Sequence, residues 1–161
     1  MEHSKRMKKG FEVLRKMGRL GTMMNQKALY PELYDLSVGY LFGEIWTRPH
    51  LRIRDRELIT LASNIALARP AGTHSHYRSA RHLGFTHEEI METIIHVGHY
   101  AGWPAIAHAL IQYEEVLKQD AAKAKKKSAA DKSRSNDFRK HLVSEGPRDG
   151  RKPTLERDKR R

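Results

Sequence analysis

An all-α fold is the class this sequence predicts, on three observations. Apolar residues recur at three- and four-residue spacing from Leu58 to Ala66 and again from Ile90 to Ala101, the repeat that lays them along one stripe of a helix. Thr86 followed three residues later by Glu89, with Phe85 before and Ile90 after, is a capping box with a hydrophobic staple. No segment alternates apolar and polar residues as a half-buried strand does.

Taken in order, Phe11, Val13, Leu14 and Met17 predict a short amphipathic helix stopped by Gly18 and Gly21. A second helix is expected from Pro31, a residue suited to a first turn, through Leu33, Leu36, Val38, Tyr40 and Leu41 toward Gly43. Pro49 argues against helix in EIWTRPHLRIRD, which reads as a loop carrying Trp46, Arg48, Arg52 and Arg54. Asp55 is placed to cap RELITLASNIALAR, where Leu58, Ile59, Leu61, Ala62, Ile65 and Ala66 mark a buried helix. Pro70 and Gly72 end that helix, Thr73 can cap the next, and Gly84 closes it as a left-handed terminator. The helix behind the capping box carries Ile90, Ile94, Val97 and Ala101 on one stripe, with Met91, Ile95 and Gly98 beside it. AGWP breaks it, and Pro104 starts a last helix through Leu110, Val116 and Leu117.

The chain of 161 residues, 39% of them hydrophobic, suffices for one domain with a modest core. That domain is expected over residues 1–119, because past Gln119 the apolar spacing fails. Residues 120–161 hold 15 Lys/Arg and 7 Asp/Glu, so +8 of the total charge of +12 lies there. The segment reads as a basic, disordered C-terminal tail, although its alanines allow the last helix to run on. The sequence has no cysteine, which excludes disulfides, thiolate metal sites and thiol nucleophiles. The N-terminus shows no apolar run of signal-peptide length and no stretch has the apolar length of a membrane span, so a cytoplasmic protein with no membrane partner is expected.

GEIWTRPHLRIRDRELITLA, GFTHEEIMETIIH and YAGWPAIAHAL follow one another between Gly43 and Leu110. In order and spacing they resemble the carboxymuconolactone decarboxylase family, which includes alkylhydroperoxidase D. The resemblance implies an alkylhydroperoxidase D-like helical bundle that assembles into homotrimers or homohexamers. It also implies a glutamate early in the long buried helix and a histidine nineteen residues later, here Glu57 and His76. In the peroxidase branch a CxxC pair lies between them; those positions fall on Arg69 and Gly72, so thiol peroxidase chemistry is ruled out. What remains resembles the decarboxylase branch, whose namesake removes carbon dioxide from a γ-lactone dicarboxylate in aromatic compound catabolism without a cofactor. The chain departs from the branch's usual pattern at His108, where asparagine is common, and at His99, which replaces a small apolar residue.

Ten histidines draw attention to groups that titrate near neutral pH. Glu57 lies among apolar residues one turn into its helix, and a buried carboxyl must be paired or neutral. It either pairs with Arg54 or Arg56, or exchanges a proton with His76; His76 in turn is either a core histidine bonded to a backbone carbonyl or Glu57's catalytic partner. His74 points about 200° away from His76 on a helix, and His82 and His87, near helix ends, are expected at the surface. Glu92, His96 and His99 stand at i, i+4 and i+7, a spacing that suits a metal, but no recognised motif or thiolate accompanies them. His96 and His99, with Tyr100 and Trp103, are instead expected to line the substrate pocket or a subunit contact. Arg48, which the resemblance places in W-[ST]-R-P beside Trp46, is expected to clamp a substrate carboxylate, since arginine's planar fork matches it.

The expected function is a decarboxylase, or related lyase or isomerase, that needs no cofactor or metal and acts on a small carboxylated lactone or enol-type acid. The alternative is a non-catalytic family member whose basic tail binds nucleic acid or another polyanion, with salt-sensitive affinity and no base readout.

Overall fold

The computed structural model describes residues 2–21, 27, 30–70 and 72–144. Among these residues there is no strand, in keeping with the all-α expectation. Helix α1 spans His3–Lys16, and α2 spans Pro31–Asp35. The chain then continues without a break as a π-helix over Leu36–Ile45. Helices α3 (Ile53–Ala66), α4 (Thr73–His82), α5 (His87–Ala101) and α6 (Trp103–Ser144) follow. By its internal contacts the chain divides into Met1–Gln119 and Asp120–Arg161. None of the described helices is long and apolar enough to cross a membrane.

Local rules explain most boundaries. At the start of α5 the Glu89 N–H donates to Thr86 Oγ1 at 3.1 Å and the Thr86 N–H donates to Glu89 Oε2 at 2.8 Å, the reciprocal bonds of a capping box. Gly84 closes α4 with φ +80°, as the sequence predicts. Two expected caps are displaced. Asp55 lies inside α3, where its Oδ2 accepts the Arg52 N–H at 3.1 Å, so the helix starts three residues earlier, at Ile53. Thr73 is the first residue of α4 and is buried; its hydroxyl donates back to the Arg69 carbonyl at 3.1 Å, and Gly72 is the cap residue. Helix α6 runs on past Gln119 to Ser144, so 120–144 is helical, consistent with its content of alanine and lysine, both good helix formers. Residues 145–161 of the expected tail lie outside the described residues.

Two apolar clusters form within Met1–Gln119. One joins α3 to α6 through Leu61, Ile65, Tyr77, Ile90, Ile94, Ile106, Tyr113 and Val116. The other joins α1 to α2 and the π-helix through Val13, Leu14, Met17, Tyr34, Val38, Phe42 and Trp46. In the second, backbones touch: a Cβ on Gly10 would stand 1.9 Å from the Val38 carbonyl oxygen, and one on Gly43 would stand 2.2 Å from that of Arg6. Glycine at both places lets α1 lie directly on the π-helix. Not every apolar position of α3 and α5 is covered: Leu58, Ile59 and Ile95 remain 39%, 53% and 42% exposed.

Candidate active site

Glu57, the fifth residue of α3, is fully buried. His76, on the second turn's start in α4, brings its Nδ1 to 2.9 Å from Glu57 Oε1. Neither Arg54 nor Arg56 pairs with this carboxylate. Arg54 donates to Glu89 at 2.6 Å and stacks on Phe85, and Arg56 donates to the Arg48 carbonyl at 2.7 Å. The second oxygen, Glu57 Oε2, is buried with no hydrogen-bond partner among the described residues, so His76 supplies the side-chain hydrogen bond to this buried carboxyl.

Side-chain hydrogen bonds on either side of His76 anchor helix α4 to α6. The Tyr77 hydroxyl donates to the Ala109 carbonyl of α6 at 3.1 Å. Burial, with Tyr113 adding to it, pushes the Tyr77 phenol well above its usual pKa, which keeps it a neutral donor. Gln112 Nε2 donates to the Arg69 carbonyl at 2.9 Å and His74 meets Glu115 at 2.7 Å, tying both the approach to α4 and its first turn to α6.

The contact with Glu57 engages Nδ1 of the ring and not Nε2. His76 lines a cavity of about 360 Å³ together with Arg19, Ser37, Leu41, Phe42, Trp46 and Thr60. The cavity lies where the two apolar clusters approach each other. Phe42 and Trp46 form its aromatic wall, their ring centroids 5.6 Å apart. The Arg19 guanidinium lies over the Phe42 ring, 5.4 Å from its centroid, a cation–π arrangement. Burial depresses its pKa, and the charge of Glu57 partly offsets this.

Of the residues singled out from sequence, the fold therefore gathers Glu57, His76 and Trp46. It does not bring Arg48 to the cavity: that side chain is exposed in the loop before α3. His96, His99, Tyr100 and Trp103 lie elsewhere too. His96 lines a larger open groove of about 760 Å³ with Leu58, Ile59, Phe85, Glu92 and Val97. His99 Nδ1 bonds to the Ile95 carbonyl at 2.8 Å, while Tyr100 and Trp103 are 85% and 76% exposed. Among the described residues, no three His, Asp or Glu side chains converge so as to hold a metal ion. His82 and His87 are exposed, though His87 stacks on Tyr113. Sequence reasoning missed Arg19. Its one local signal is the glycine before it, which marks a helix end but not what the next side chain meets.

Residues 31–115 match the model of the carboxymuconolactone decarboxylase family. The chain belongs to that family. Over 79 residues this family member is 39% identical to the 4-carboxymuconolactone decarboxylase of Acinetobacter baylyi, covering 49% of the chain and 59% of the relative. Over 83 residues it is 30% identical to the nitrosuccinic acid decarboxylase of Metarhizium robertsii, covering 52% of the chain and 58% of the relative. The chain thus spans rather less than two thirds of either relative. Glu57, His76 and Trp46 fall within the segment that defines this carboxymuconolactone decarboxylase family member, whereas Arg19 precedes it.

Proposed function

We propose that the protein is a cofactor-independent decarboxylase acting on a small carboxylated lactone or enol-type acid. The observation that carries this reading is the buried 2.9 Å contact between Glu57 Oε1 and His76 Nδ1, set at the edge of a cavity with an aromatic wall. The names of both relatives support it, since each is called a decarboxylase of an organic acid.

Decarboxylation breaks the bond between the carboxyl carbon and its neighbour. Carbon dioxide leaves, and the electron pair moves into the conjugated system of the substrate. A proton must then reach carbon. Protonated His76 donates it from Nε2, and Glu57, bonded to Nδ1, holds the ring in place and balances its charge. Phe42, Trp46 and Leu41 offer the departing carboxylate little solvation, which disfavours its localised charge relative to the dispersed charge of the transition state.

The test is carbon dioxide release from 4-carboxymuconolactone, nitrosuccinic acid and related lactone acids, run in heavy water. The reading predicts release from at least one of them, with a single deuterium delivered to carbon. No release from any acid, by protein shown to be folded, would contradict it.

A further inference from the structure

Arg19 is placed by a turn rather than by a helix. Helix α1 ends with the Gly18 N–H donating to the Arg15 carbonyl at 3.1 Å and the Arg19 N–H donating to the Leu14 carbonyl at 2.8 Å. These are the two bonds of a Schellman motif, with Gly18 at φ +67° as its left-handed residue. The turn carries a long cationic side chain to the cavity wall, where it is partly buried. Its Nε is buried without a hydrogen-bond partner, and no carboxylate of the described residues lies within ion-pairing distance of its guanidinium.

A partly buried cation without an ion pair costs stability, and a hydrophobic residue of similar size would cost less. Its presence is explained if an anion completes the site. The charge balance points the same way. Arg19 is the one arginine or lysine among the described residues that line the cavity, and the charge of Glu57 reaches it only through space, without an ion pair. Arg19 is then the source of the positive charge on the cavity wall, and its planar fork suits a carboxylate.

We infer that Arg19 holds the carboxylate that the product retains, leaving the carboxylate that departs against Phe42 and Trp46. The cavity of about 360 Å³ sets the size of acid that fits between them. This inference rests on the decarboxylase reading of the same site, but its test does not. Succinate is the probe, titrated by calorimetry into the full chain, with its uncharged diamide as the control.

Wild type is expected to bind succinate in preference to the diamide. Arg19→Met is expected to weaken succinate binding at least tenfold while its Tm stays level or rises. Arg19→Lys, which keeps the charge but not the fork, should fall between them. Arg15→Gln, which removes one positive charge from the exposed surface of α1, should stay within twofold of wild type. The inference is overturned if wild type does not prefer succinate, or if Arg19→Met binds it normally. It is also overturned if Arg48→Gln rather than Arg19→Met loses binding, or if Arg19→Met loses Tm and affinity together. Should no acid release carbon dioxide, the decarboxylase reading falls, and the titration still decides the role of Arg19.

Discussion

Glu57 and His76 stand nineteen residues apart on two different helices, and the imidazole is the hydrogen-bonding partner of a carboxyl with no access to water. Such a pair is costly to break from one side. His76→Leu leaves both Glu57 oxygens buried and unpartnered, and a loss of about 3 kcal/mol is expected. The double variant Glu57→Leu/His76→Leu removes the buried carboxyl as well and should recover most of that loss. Urea unfolding of wild type and the two variants checks it; a double variant as unstable as His76→Leu would mean that Glu57 is compensated by something other than His76.

Gly18 should tolerate no side chain. An alanine there must adopt φ +67°, and its Cβ would stand 2.3 Å from the His82 ring. A loss of about 1–2 kcal/mol is expected from the backbone alone, with weaker succinate binding as the turn that carries Arg19 shifts. Unfolding and calorimetry of Gly18→Ala check both effects.

Residues after Gln119 should be dispensable for the fold of Met1–Gln119. A chain ending at Gln119 is expected to keep its Tm within about 3 °C, less than 1 kcal/mol for a domain of this size. Any affinity of the full chain for heparin should be salt-sensitive and vanish on truncation, because +8 of the net charge goes with the tail. A large drop in Tm would show that the tail supports the domain.

How much of this was legible in the sequence depends on the range of the forces involved. The Thr86–Glu89 capping box and the Gly84 terminator are closed within a few residues, so local pattern suffices. The π-helix over Leu36–Ile45 was not legible, because apolar residues four apart suit a π-turn nearly as well as an α-turn. Glu57 and His76 came from resemblance, since no periodicity within either helix says that they meet. Arg19 was out of reach: its position depends on α1 lying on the π-helix through Gly10 and Gly43, a tertiary contact. Arg48 stood beside the right tryptophan in sequence, yet Trp46 turns inward against Phe42 while Arg48 stays in solvent.

Self-association is expected to cover the apolar surface that the chain leaves open. Leu58, Ile59 and Ile95 are part-exposed on neighbouring helices, and Leu58 and Ile59 line an open apolar groove suited to a second copy of the chain. Light scattering should give three or six times the chain mass of 18.6 kDa, and Ile59→Glu should lower it. A monomer at micromolar concentration would contradict the expectation.

If Glu57 and His76 act as one proton-transfer unit, a double-mutant cycle on decarboxylation reads out their coupling. Turnover of whichever acid releases carbon dioxide is compared for wild type, Glu57→Gln, His76→Gln and the double variant, each shown to be folded. Groups that act as a unit are strongly non-additive. Each single change is expected to remove most of kcat, and the double variant to be little slower than the worse single one. Near-normal turnover by folded His76→Gln, or losses that simply multiply in the double variant, would contradict it.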